Sequence, residues 1–415
     1  MDETAEVLKI SPRDRETGME PGTSLALLRT GRRGALNFQV EVVDVKREAQ
    51  LWGERFVRRV SDIFAVEDEI AQQITEKLRL KITGEERERL ARRYTRDTEA
   101  YQLYLKGRFY WAKRTPDNVK KAMALYQQAL DRDPNYALAY VGIADCYTVL
   151  GLTAYATMPP AEAFPRAKAA AQKAIALDDS LAEAHAALSQ CAFFYDWDWA
   201  GAERSIRRSL EIGGPNTTLA QSHALMLLAV LGRFEEAIGE ARRFTEADPL
   251  SVNAAASLAF LLFSARRLDE AIREARKATE MDSTFAAAHV YLSFACQAKG
   301  QLAEAVQGVE KAASLIETPV FQYAHTGWIY GLAGRRQDAI RMLDLLTEAS
   351  ARTYVSPNAF AWIYCGLGDG ENWARTMQAS IEERAAPLVF LKTPIWDNMR
   401  THPFFDEVVR KVGLP

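Results

Sequence analysis

One interval governs how this 415-residue chain can fold: Ala122, Ala167, Ala202, Ala237, Ala271, Ala305 and Ala339 stand 45, 35, 35, 34, 34 and 34 residues apart. Each opens a similar phrase, a short charged helix with an apolar pair beside the alanine, as in KKAMALYQQALDRDPN, EEAIGEARRFTEADPL, DEAIREARKATEMDST and AEAVQGVEKAASLIET. So regular a spacing marks a structural repeat whose single unit is too small to bury its own apolar stripe and must stack on its neighbours. Seven residues beyond the anchors stand Ala129, Ala174, Ser209, Phe244, Ala278, Ala312 and Leu346, five of them small. Two helical turns apart, these positions share a face, and small side chains there let crossing backbones come close. Pro134, Asp179, Pro249 and Ser283 then stop the phrase, while Gly232, Gly300, Gly334 and Gly368 supply the left-handed residue at a helix C-terminus.

A helix-turn-helix unit of 34 residues resembles the tetratricopeptide repeat (TPR). The fold class expected is therefore all-α, a TPR superhelical solenoid of about eight units over residues 97–385. A small α/β segment precedes it, and a capping helix and tail over 386–415 follow it. The long first interval predicts a Pro-containing loop, GLTAYATMPPAEAFP at 151–165, projecting between the two helices of the second unit. At the eighth anchor Trp373 replaces alanine, which predicts an atypical last unit, with the aromatic tail covering its exposed end.

Upstream of residue 97 the period gives way to alternation. NFQVEVVDV at 37–45 and AQLWGERFVRRV from 49 predict a β-hairpin, and Phe64, Ile70, Ile74 and Leu78 predict an amphipathic helix. The phrases LWGERF, DIFAVEDEIA and AYQLYLKGRFYW resemble the end of the TolB-like (FlgO-like) amino-terminal domain joined to TPRs. That pairing occurs C-terminal to bacterial serine/threonine kinases, class III adenylate cyclases and winged-helix regulators. The resemblance covers residues 34–415 and implies a TolB-like remnant at 34–94, truncated relative to the family. Residues 1–33 match nothing in it and are expected to be poorly ordered.

Composition narrows the function. With 52 basic and 55 acidic residues the net charge is −3, so no overall positive field favours nucleic acid. No run of about 20 apolar residues predicts a membrane span, and the acidic first residues do not form a signal peptide. The chain reads as cytoplasmic as written, or as extracytoplasmic if a membrane anchor precedes it. Cys146, Cys191, Cys296 and Cys365 are too scattered for a zinc site or disulfide framework and read as buried thiols.

Three first-helix segments, 217–231, 251–265 and 319–333, contain no Lys, Arg, Asp or Glu. In a TPR array the first helices line the concave face, so an apolar groove for a protein or peptide ligand is expected. Met226, Phe260, Phe294, Trp328 and Trp362 recur along it at 34-residue steps; with Phe263 they form an aromatic row that either grips a ligand or packs the stack. Asn253 and Gln297 add polar side chains for a ligand backbone. His185, His223, His289 and His325 recur in first helices without a carboxylate beside them, and Gly366, Gly368 and Gly370 follow no strand, so neither group reads as catalytic. Asp198 in DWDW reads as a helix cap. No catalytic residue, cofactor or metal is expected. The function expected is a non-enzymatic interaction module, a docking or sensory part of a signalling system, with a scaffold for an envelope or transport complex as the alternative.

Overall fold

The computed structural model describes the backbone of residues 7–10, 23–30, 35–44 and 49–59, and it describes residues 95–113, 115–152, 157–213, 218–316 and 318–414. The chain divides into two compact units, Met1–Tyr101 with Glu246–Pro249, and Gln102–Thr245 with Leu250–Pro415.

In the first unit four strands, β1 (Val7–Ile10), β2 (Thr23–Thr30), β3 (Ala35–Asp44) and β4 (Ala49–Arg59), form an antiparallel sheet in sequence order. The expected hairpin is β3 with β4, in register Phe38↔Phe56, with an irregularity at Val42/Val43. Thr23–Thr30, inside the stretch expected to be poorly ordered, pairs along its whole length with β3. Its alternation in TSLALLRT, Leu25 and Leu27 against Ser24 and Ala26, is a period-2 signal too short to stand out without its partner. The helix expected around Phe64, Ile70, Ile74 and Leu78 lies outside the described residues.

Beyond the sheet, seventeen α-helices lie among the described residues. Eight pairs make up the array: α1 (Thr98–Ala112) with α2 (Pro116–Arg132), α3 (Ala137–Gly151) with α4 (Pro160–Leu177), α5 (Ala182–Cys191) with α6 (Trp199–Gly213), and α7 (Thr218–Val230) with α8 (Phe234–Ala247). Then come α9 (Val252–Ser264) with α10 (Leu268–Met281), α11 (Ala286–Ala298) with α12 (Leu302–Leu315), α13 (Pro319–Leu332) with α14 (Arg336–Ser350), and α15 (Pro357–Leu367) with α16 (Gly370–Glu382). The stack is the helical solenoid that the period predicts.

All seven anchor alanines fall on the second helix of a pair and are fully buried. Side chains of the partner helices show how close the backbones come: Ser189 Oγ donates to the Ala202 carbonyl and Ser293 Oγ to the Ala305 carbonyl, both at 2.7 Å. Between neighbouring first helices the approach is closer still. A Cβ added to Gly366 of α15 would overlap the Trp328 carbonyl of α13, and one on Gly331 would overlap the Gly366 backbone.

The turns repeat as well. Gly232, Gly300, Gly334 and Gly368 have φ of 77°, 81°, 75° and 69°. The amide after each donates back to the first helix, as in Arg233 to Leu228 O (2.9 Å) and Gln301 to Cys296 O (2.8 Å), satisfying carbonyls that the helix end leaves open. Outside, ion pairs link successive second helices: Glu203 with Arg233 (2.8 Å), Arg242 with Glu270 (2.7 Å) and Arg276 with Glu304 (2.7 Å). Exposed pairs of this kind add little energy each, but they balance charge along the outer wall.

The second unit departs from expectation in its insertion. Residues 153–156 lie outside the described residues, yet Pro160–Pro165 are the first turns of α4, with Phe164 fully buried and stacked on Tyr195 at 5.4 Å. Pro160 at the helix start and a buried aromatic make these residues helix-compatible despite the two prolines that suggested a loop.

Because the anchors sit where no Cβ can move away, Ala305→Leu should destabilise the chain by about 1–3 kcal/mol, read from urea unfolding followed by circular dichroism. Gly366→Ala should cost a similar amount, about 1–3 kcal/mol. An unchanged midpoint for both would show that the helices are free to separate.

Candidate functional site: the inner aromatic wall

The 34-residue register places Met226, Phe260, Phe294, Trp328 and Trp362 on α7, α9, α11, α13 and α15, at equivalent positions of five successive first helices. Since these helices are almost free of charge, nothing opposes their close packing, and the rings run on without a break. Phe263 lies 5.9 Å from Phe294, Phe294 lies 5.2 Å from Trp328, and Trp328 lies 5.2 Å from Trp362. Edge-to-face pairs at such separations add to the gain from burial. His325 joins the row, 4.4 Å from Trp362.

This wall is not open. Phe260 keeps 8%, Phe294 4% and Trp362 7% of their surface, and Phe263 and Trp328 keep none. Much of the cover comes from the chain's own C-terminal segment, two 3-10 turns at Ala386–Phe390 and Pro394–Met399 followed by α17 (Phe405–Val412). Phe390 meets Phe260 edge-on at 5.6 Å, and Val389 joins Leu227 in a buried cluster against which Met226 packs. Ala386 packs with Phe164 and Cys191. Trp396, fully buried, lies 5.5 Å from Trp362 and extends the ladder by one rung. Its number is Trp362 plus 34, so the turn Pro394–Met399 occupies the register of a ninth first helix.

The tail therefore does two things where the sequence predicts one. Phe405 stacks on Trp373 at 6.2 Å, so α17 does cover the last unit. The segment before it, however, lies along the inner wall rather than over the end. Glycine-poor and rich in Leu, Val, Ile, Trp and Met, it follows the largest apolar surface available to it.

Polar contacts hold this segment at both ends. Arg266 donates twice to the Asp397 carboxylate, each at 2.6 Å, and Arg400 Nε donates to it at 2.6 Å. Burial works to raise the Asp397 pKa, but the hydrogen bonds from Arg266 and Arg400 outweigh it and hold the carboxyl below its usual value. Arg384 Nη1 donates to the carbonyls of Tyr195 (3.1 Å) and Asp196 (3.2 Å), and Trp199 Nε1 donates to Gly413 O at 2.7 Å. The Cys365 thiol, fully buried, donates to Asn398 Oδ1 at 2.9 Å, and Asn398 Nδ2 donates back to the Cys365 carbonyl. Burial pushes this thiol up, as it does those of Cys191 and Cys296, both to about 12.

Of the remaining groove candidates, Asn253 is half-buried and its amide reaches Ser222 Oγ at 3.4 Å. Gln297 is half-buried with its Oε1 sealed from solvent and without a hydrogen-bond partner among the described residues, as is Trp396 Nε1. The sequence reading missed Arg266, Arg384, Asp397 and Trp396. Two signals were present: Arg266 stands in the register Gly232, Gly300, Gly334, Gly368, where every other member is glycine, and Trp396 continues the ladder.

The histidines are satisfied within the stack, and His185 Nε2 also lies 3.3 Å from Asp179 Oδ1, a carboxylate the sequence reading did not place beside it. His185 and His289 use Nε2 on the carbonyls of Asp179 (2.9 Å) and Ser283 (3.0 Å), and His325 donates from Nδ1 to Phe321 O at 3.1 Å. His223 Nε2 donates to Ser189 Oγ at 3.0 Å, because that hydroxyl spends its proton on Ala202 O. Asp198 caps α6 through the Gly201 amide at 2.9 Å, and Asp196 pairs with Lys168 at 2.6 Å. No group of three His, Cys, Asp or Glu positioned to hold a metal occurs among the described residues. Desolvation lowers His223 and His325 to about 4. Both stay neutral in the folded chain while the unfolded chain takes up a proton below pH ~6.5, so their contribution is complete above that pH and is lost as pH falls from about 6.5 to 4. Between pH 7 and pH 4, urea unfolding of the wild type should lose more stability than that of His223→Gln, by up to about 3 kcal/mol. Equal losses would remove the buried neutral imidazole from the account.

No family model matches this chain. An adenylate cyclase homologue of Rhizobium meliloti (strain 1021) is 29% identical over 184 residues, which is 43% of this chain and 31% of that protein. The match thus spans about a third of that relative's length. Among solved structures, a monomeric IFIT1 mutant with Gppp-AAAA has a TM-score of 0.52 at 14% identity, covering 85% of this chain and 79% of that one. The human IFIT1 dimer with PPP-AAAA has a TM-score of 0.50 at 16% identity, covering 75% and 72%. No helix among the described residues is long and apolar enough to cross a membrane. Eight stacked helix-turn-helix pairs, a 34-residue period and this likeness together give the chain the fold of a tetratricopeptide-repeat helical solenoid.

Proposed function

We propose that this chain is a non-enzymatic protein–protein interaction module and serves as the docking or sensory part of a bacterial signalling system. The observation that carries the reading is the division of labour within the helical pairs from α7 to α16, whose first helices carry no Lys, Arg, Asp or Glu. Second helices spend their charge on one another outside, while first helices present a continuous apolar wall inside. A wall of large aromatic side chains at fixed spacing suits a protein or peptide segment, which offers apolar anchors at matching intervals. A small polar substrate would find no set of converging polar groups there.

The similarity to a nucleotide cyclase homologue over 184 residues supports a place in signalling. The −3 net charge and the paired cations of the outer wall support a protein partner over nucleic acid, since phosphates need an unbalanced basic surface. A cytoplasmic location belongs to the same reading.

Affinity purification of the full chain from its native bacterium, followed by mass spectrometry and reconstitution with the purified candidate, tests this. A reproducible complex with a kinase, cyclase or transcriptional regulator is the expected outcome. A specific complex with envelope or transport components alone would favour a scaffold instead, and turnover of a nucleotide by the purified chain would overturn the non-enzymatic reading.

A further inference from the structure

Five first-helix turns share one register, at 232, 266, 300, 334 and 368, and four of them are glycine. The fifth is Arg266, in the left-handed region at φ 61°. A side chain there is strained, and such positions persist where the surroundings hold them. What holds Arg266 is the Asp397 carboxylate of the C-terminal segment, 131 residues away in sequence. Arg384, where that segment begins, is a second left-handed arginine, at φ 53°. Its guanidinium binds the Tyr195 and Asp196 carbonyls and lies over the Trp197 ring at 5.2 Å. Two of the three left-handed non-glycine residues described in the chain thus serve to fasten one segment.

The fastening is polar and lies at the edge of a buried apolar seam formed by Leu388, Leu391, Ile395 and Trp396. A solvent-open pocket of about 480 Å³ lies between α17 and the turns of the fourth and fifth pairs, lined by Ala229, Phe234, Arg266, Lys392, Arg400 and Val409 among others.

We propose that residues 384–413 form a clasp that opens as a unit, and that the inner aromatic wall beneath it is a gated docking surface. The partner it fits is a protein segment with the clasp's own chemistry, namely apolar residues, two large aromatics and a carboxylate for Arg266. This rests on the interaction reading above and names the ligand class and its regulation. The occupant seen in the structure defines that chemistry: Phe390 on Phe260, Trp396 on Trp362 and Asp397 on Arg266. The segment therefore competes with the partner from within the same chain, where its effective concentration is high.

The thiols report the opening. Cys365 lies beneath Ile395 and Asn398, whereas Cys146 and Cys296 lie in the stack away from the clasp. On the full chain, the rate of thiol labelling at each cysteine, resolved by peptide mass spectrometry, is compared among wild type, Asp397→Asn and Arg266→Gly. Both variants should label Cys365 about tenfold faster with Cys146 and Cys296 unchanged, and Arg266→Gly should do so without a lower melting temperature, because glycine relieves the strained turn. A fluorescent peptide of residues 385–400 should bind Asp397→Asn more tightly than wild type, and the same peptide carrying Asp397→Asn should bind at least tenfold more weakly. Unchanged Cys365 labelling, acceleration of all thiols together, or no peptide binding by any form would overturn the clasp. A reconstituted complex that leaves Cys365 labelling unaltered would overturn the clasp and leave the interaction reading standing.

Discussion

Everything in the array follows from how closely two helices can cross. A helix pair buries an apolar stripe only if the backbones approach, and at the crossing point of the first seven pairs the side chain is a methyl group. Fully buried Ala122, Ala167, Ala202, Ala237, Ala271, Ala305 and Ala339 fix that distance seven times over. Once it is fixed, each pair can meet the next in only one way, and the stack propagates from local geometry alone. The bonds from Ser189 and Ser293 to the carbonyls of Ala202 and Ala305 are possible only because the helices lie so near.

Close crossing also sorts the chemistry of the two helices. From α7 onward the first helices are pressed between neighbours, so a charge on them would have to be desolvated without a partner. Second helices face water on one side and carry charge at little cost. The same constraint accounts for Gly331 and Gly366, where two first helices touch backbone to backbone beside Trp328 and Trp362. Large rings and absent side chains are complementary here: the glycines bring the helices together, and the tryptophans fill the space that the rest of the interface leaves.

Periodic features were legible in the sequence because a repeat samples the same physical environment many times. The anchors, the glycine turns and the aromatic row recur in a register of 34 or 35 residues after the first interval, and the helices carry them at equivalent positions. Features that occur once were not legible. The first turns of α4 read as a loop, because two prolines outweigh a single buried Phe164 when the partner ring, Tyr195, is 31 residues away. The strand Thr23–Thr30 was hidden for a like reason, its pairing with β3 being invisible in a run of eight residues. The site was half legible. Its wall followed from the register, but its cover did not, since the pairing of Arg266 with Asp397 joins two single, non-periodic residues far apart in the chain.

An aromatic wall along successive first helices is itself a reason for a cover to exist. Left to water, the faces of Phe260 and Trp362 that Phe390 and Trp396 cover would add large rings to the exposed apolar surface. A chain can meet that difficulty with a constant partner, with a second copy, or with a segment of its own. Here the segment Ala386–Met399 is made from the same register as the wall, Trp396 standing one period beyond Trp362. A ninth unit reduced to a 3-10 turn keeps the ring that continues the ladder but lacks the helix that would fix it in the stack. Beside its buried apolar contacts, the turn is held at the edge by a carboxylate between two guanidiniums, a contact sensitive to single substitutions. The repeat thus supplies both the surface and its closure, and the departure from the repeat supplies the means of release.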